Sequence, residues 1–94
     1  MPRFEVAHFR EQGVDLIVIP LTSAFGFKSQ REQNDAQDEL QLRANRAGLR
    51  GTVVLVWDGG GGRMSFLAPP GYHPFFRSIG LGEIAMSINR ELYW

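Results

Sequence analysis

Two short runs, Val14 to Leu21 and Thr52 to Trp57, are rich in β-branched residues and apolar on both alternating sets of positions, Asp15 apart. Stiff β-branched side chains suit the pleated surface of a strand. A strand with one wet face alternates apolar with polar, so a run apolar throughout asks for cover on both sides of its sheet. Both runs have strand length and fall far short of a membrane span. They read as the central strands of one sheet, which the rest of the chain must cover.

The segment between them fixes their relative direction. Ser29-Gln30-Arg31-Glu32 is a capping box, in which the Ser hydroxyl accepts from a first-turn amide and the Glu reaches back. The helix it starts should run to about Ala47, with Gly48 as a left-handed cap. Its apolar stripe is thin: Ala36, Leu40, Ala44 and Ala47, with Leu42 apart and Glu39–Arg43 as an i,i+4 ion pair. This is a surface helix resting one narrow face on the sheet. A strand–helix–strand connection is right-handed and leaves its two strands parallel.

The flanks supply the remaining elements. Phe4 to Phe9 alternates, with Phe4, Val6 and His8 on one face, and a turn ending at Gly13 joins it to the first central run as a hairpin. Met64 to Ala68 reads as a fourth strand. Pro69-Pro70-Gly71 breaks the pattern, and Tyr72 to Ile79 is irregular or a single helical turn. From Leu81 the spacing Leu81, Ile84, Ala85, Ile88, Leu92 is helical. The expected fold is α+β in the order ββαββα, a four-stranded mixed sheet with two helices packed on it, forming a single domain over residues 1–94. No repeat or linker divides it.

Ninety-four residues with 44% hydrophobic content can bury roughly 60–65% of the unfolded surface, enough for one core without staples. There is no cysteine, so disulfides, thiolate metal sites and a cysteine nucleophile are excluded. The N-terminal residues lack an apolar signal core, so a cytoplasmic protein that does not enter a membrane is expected. Ten basic residues balance ten acidic ones, which argues against sequence-independent attraction to nucleic acid. The first helix does carry Arg31, Arg43, Arg46 and Arg50, but Asp35, Asp38 and Glu39 oppose them.

Chemistry is sparse. Asp58-Gly59-Gly60-Gly61-Gly62-Arg63 could line up amides for an anion, with Arg63 adding charge. Strand rather than helix follows it, and neither GK[ST] nor G-x-G-x-x-G is present. It reads better as a flexible hairpin tip. Two aromatic loops, one with Phe25 and Phe27, the other with Tyr72, His73, Phe75 and Arg77, could form a groove for a peptide or ligand. Together with Arg63 these are the candidate binding residues. His8 and His73 have neither a nucleophile elbow nor metal-ligand spacing around them, so no metal, cofactor or catalytic residue is assigned.

One geometric expectation follows. If both helices lie on one face, the other face of the central strands is bare, with Ile17, Ile19, Val54 and Val56 on one side and Leu16, Val18, Val53 and Leu55 on the other. Either the aromatic loops fold across it or a second copy does, and a symmetric homodimer is expected. The leading functional reading is a non-enzymatic binding or interaction module that recognises a protein partner or small ligand through the aromatic loops. The alternative is a small enzyme or ligand-processing domain using His73, Arg77 and Asp58 near the glycine loop, and a weaker one is nucleic-acid binding by the arginines of the first helix and its exit.

Overall fold

A computed structural model describes residues 3–93. Strand β1 (Arg3–Glu11) turns into β2 (Val14–Pro20) through Gln12 and Gly13, both left-handed at φ 53° and 78°, as a tight hairpin turn requires. Helix α1 (Gln30–Arg46) crosses to β3 (Thr52–Asp58), which lies parallel to β2 as expected, with Leu16 opposite Thr52 and Pro20 opposite Val56. Strand β4 (Met64–Leu67) returns antiparallel to β3.

The C-terminal third departs from expectation. A 3-10 turn, Pro70–Tyr72, leads into two short helices, α2 (His73–Ser78) and α3 (Leu81–Met86). A fifth strand, β5 (Arg90–Tyr93), then pairs antiparallel with β1, Phe4 opposite Leu92. The sheet therefore has five strands, in the order β4-β3-β2-β1-β5, rather than four. The long second helix is not formed; the helix that begins at Leu81 ends at Met86. Asn89 marks the change. Its side chain accepts from His8 N–H at 2.9 Å and donates to His8 C=O at 2.8 Å, and its own N–H donates to Val6 C=O at 3.0 Å. These bonds commit the chain to β1. Trp94 lies outside the described residues.

Helix α1 starts as its sequence dictates. Ser29 Oγ accepts from Glu32 N–H and the Glu32 carboxylate accepts from Ser29 N–H. The Ser29 amide first, and the Ser29 hydroxyl after it, hold the Glu32 carboxyl below its ordinary pKa by hydrogen bonding to it. Leu40 and Ala44 are buried and Leu42 is half exposed. The helix also grips the sheet through a line of glutamines. Gln37 donates to Val53 C=O at 3.1 Å. Gln41 accepts from Val53 N–H at 2.8 Å and donates to Gly51 C=O at 2.9 Å.

The central strands are buried on both faces, as their composition demands. The α1 side packs Val6, Ile17, Ile19, Val53, Leu55, Trp57 and Leu92 against Phe25, Leu40 and Ala44. The other side packs Ala7, Leu16, Val18, Val54 and Val56 against Phe76 and Ile84. The faces of β3 are thus shifted by one residue from the expected grouping, because Ile17 sits beside Val53. A single-residue slip moves every side chain to the opposite face. Gly51 enters β3 at φ 126°, and a Cβ there would stand 2.3 Å from Asp15 C=O.

The second face is covered by α2, α3 and the turn before them, not left bare. The bare face from which a homodimer was expected does not exist. Among the described residues no helix is long and apolar enough to cross a membrane.

Candidate functional site

The candidate residues fall in three places. Phe25 is buried, its ring edge-on to Trp57 at 4.9 Å between centroids. Phe27, two residues on in the 3-10 turn Ser23–Phe27, is 90% exposed. Both sit at the carboxyl ends of β2 and β3. Tyr72, His73 and Phe75 lie on the opposite face, half-buried in the cover of the second core. The Phe75 ring is tilted against Phe9 and edge-to-face with Phe76, at 6.0 and 5.0 Å between centroids. His73 Nε2 lies 2.9 Å from Ala68 C=O, and its ring is edge-on to Phe66. Arg63 and Arg77 are exposed and line one shallow cleft beside β4.

His73, Arg77 and Asp58 are not brought together. Asp58 lines a cleft with the glycine loop, Arg77 lines the cleft with Arg63, and the His73 imidazole is engaged with Ala68. The other imidazole, His8, lies with Nε2 2.7 Å from Arg50 C=O. Among the described residues no three His, Asp or Glu side chains gather where they could hold a metal ion.

The glycine loop is a hairpin tip with defined bonding. Gly59 N–H donates to Arg63 C=O at 2.8 Å, Arg63 N–H to Gly60 C=O at 3.1 Å, and Gly60 N–H to Asp58 Oδ1 at 2.8 Å. Gly60, Gly61 and Gly62 all have positive φ. An anion-binding nest is thus partly filled by the chain's own Asp58 carboxylate, which would also repel an incoming anion.

Several clefts adjoin these residues. The largest, about 680 Å³, lies between β1 and α1 and is walled mostly by hydrocarbon from Phe4, Leu21, Phe25, Ala36 and Leu40. The second, about 500 Å³, opens outside the carboxyl ends of the parallel pair β2 and β3, between the Ser23–Phe27 turn and the glycine tip. Open α/β sheets bind ligands in this position. The third, about 610 Å³, runs along β4 and combines Arg63 and Arg77 with the apolar walls Phe66, Phe76 and Ile79.

Sequence reasoning did not single out Trp57 or Phe76 as cleft-lining residues. The available signal was positional: Trp57-Asp58 ends the second of two parallel strands. No protein family, no curated protein and no solved structure matches the chain.

Proposed function

We propose that the chain is a non-catalytic interaction module whose partner is an extended acidic peptide, added as a strand to the free edge of β4. The supporting observation is an uncharged edge that opens onto a cleft holding two arginines. β4 ends the sheet, with β3 as its one strand neighbour, and alternate residues of such a strand turn N–H and C=O outward. Edges are usually blunted by charge, proline or a bulge. Met64-Ser65-Phe66-Leu67 has none of these within it. Arg63 and Arg77 have no carboxylate within ion-pair reach among the described residues. Guanidinium forks match carboxylates, and strand addition supplies main-chain bonds while a neighbouring cleft reads alternate side chains. Phe66, Phe76 and Ile79 provide that cleft.

The test is fluorescence anisotropy with a labelled peptide of alternating Asp and Val. Saturable binding that weakens with added salt is expected. Arg63→Ala and Arg77→Ala should each weaken it about two- to fivefold, as exposed ion pairs do. The same peptide N-methylated on the alternate residues that face β4 should not bind. Equal binding of a Lys-for-Asp peptide, or indifference to N-methylation in both alternations, overturns the reading. So does light scattering that shows β4 already paired with a second copy which the peptide does not displace.

A further inference from the structure

We infer, resting on the strand-addition reading of β4, that its free edge is a closed frame of two residues, Met64 and Phe66, which takes a three-residue stretch of the partner, and that His73 is the positioning residue that ends it.

Bonding on the inner side of β4 decides which residues face out. Gly59 N–H donates to Arg63 C=O at 2.8 Å, so Arg63 turns its carbonyl toward β3. Backbone groups alternate along a strand, so Ser65 and Leu67, opposite Trp57 and Leu55, bond inward as well. The count taken from β3 agrees. Val56 C=O accepts from Leu21 N–H at 2.7 Å, on the β2 side, and Val53 N–H donates to Gln41 on the other side. Leu55 and Trp57, in step with Val53, therefore face β4. Met64 and Phe66 are left with N–H and C=O directed outward, and no loop or side chain among the described residues bonds to either backbone.

The chain itself closes both ends of the frame. At one end Arg63 N–H donates to Gly60 C=O at 3.1 Å, and Gly62 before it has φ 79°, so the strand gives way to the glycine tip. At the other end Ala68 is next in the outward series, and it packs on the second core as Met64 and Phe66 do. His73 Nε2 lies 2.9 Å from Ala68 C=O, where a third residue of the partner would bond. Pro69 and Pro70, which have no N–H, follow. The His73 ring also stands edge-on to Phe66, at 5.2 Å between centroids, so one side chain packs on the frame and ends it. An antiparallel segment exchanges bonds with Phe66 through one residue and with Met64 through the residue two places on. The residue between them turns its N–H to water. Residues directly opposite share a face, so the two bonded residues lie on the side where Phe76 and Ile79 line the cleft. Apolar side chains suit that side. The residue between them falls on the face of Ser65, one step along from Arg63, where an acid is matched. Val-Asp-Val is a stretch of this kind.

The experiment is amide hydrogen exchange of the whole chain, read by ¹⁵N–¹H NMR, free and with the peptide of alternating Asp and Val. In the free chain Met64 and Phe66 should exchange at least about tenfold faster than Ser65 and Leu67. With the peptide, Met64 and Phe66 should slow by about tenfold or more, and Ala68 should not. His73→Ala frees the Ala68 carbonyl, so protection by the peptide should then reach Ala68. His73→Gln, which can still donate to that carbonyl, should behave as the unaltered chain does. Ser65 and Leu67 as the fast pair would overturn the frame. So would peptide protection of Ala68 in the unaltered chain, or its absence there in His73→Ala while Met64 and Phe66 are protected. The two readings fail differently. Peptide binding that protects another set of amides removes the frame and leaves strand addition standing. A free chain with the expected alternation, in which the peptide slows neither Met64 nor Phe66, removes strand addition itself.

Discussion

Gln41 shows how far a polar residue can be from idle. From sequence, Gln33, Gln37 and Gln41 belong to the wet side of a thinly apolar helix, because nothing in a helical wheel distinguishes a solvated amide from a bonded one. The distinction comes from tertiary structure. β4 pairs only with Leu55 to Asp58, so the first residues of β3 have no strand beside them on that side. Val53 has its N–H bonded to Gln41 and its C=O to Gln37, where strand partners would otherwise stand. Gln41→Leu keeps the bulk and removes the partners of Val53 N–H and Gly51 C=O. It should cost about 1–3 kcal/mol, the penalty of stranding buried backbone groups, measured by urea unfolding. Asp38→Ala, on the exposed side of the same helix, should stay within about 0.5 kcal/mol. Equal costs for the two variants would show that the glutamines bear no such role. Trp57 was legible as a strand residue but not as a cleft wall: alternation reports which way a side chain points, but not what stands opposite it.

At the scale of elements, strong local signals translated directly and short ones did not. The capping box, the two-sided strands and the parallel crossover all appear where sequence places them, because each rests on many residues or on local bonding. β5 was missed because four residues are too few to display a period of two. Its one buried side chain, Leu92, also falls in step with the helical spacing that begins at Leu81. In the fold that step is broken: Ile84 and Ile88 pack on the α2 side, and Leu92 on the α1 side, 2% exposed. Leu92→Ala should therefore cost about 2–4 kcal/mol, while Tyr93→Ala, at a residue 66% exposed, should cost far less. Backbone carbon shifts distinguish the two structures without mutation. Strand-type values across Arg90 to Tyr93 are expected, and helical values there would restore the long helix and remove the fifth strand.

At the scale of the molecule, the demand for two-sided cover was legible, and of its two expected sources the aromatic loop is the one the fold uses, through Tyr72, Phe75 and Phe76; the choice between that loop and a second copy was not legible. Leu16, Val18, Val54 and Val56 state that something apolar must sit on them, but irregular segments carry no periodicity that says where they fold. The structure supplies the cover from within, with Phe76 and Ile84 each 1% exposed at its centre. The large apolar side chains left outside, Val14, Phe27, Leu42, Met86 and Tyr93, lie on different elements. Apolar residues scattered singly do not by themselves drive association. The chain alone should then scatter light as a 10.6 kDa monomer. Phe76→Ala should cost about 3–5 kcal/mol and loosen α2 from the sheet. With that cover loosened, the variant should bind a hydrophobic dye and gain mass with concentration while keeping its sheet signal in circular dichroism. A variant that stays monomeric and dye-free would mean that other residues hold the face closed. A dimer of the unaltered chain would need a different contact, and β4 is where it would form: two antiparallel copies of an uncharged edge can pair, and the acidic peptide would compete with that pairing.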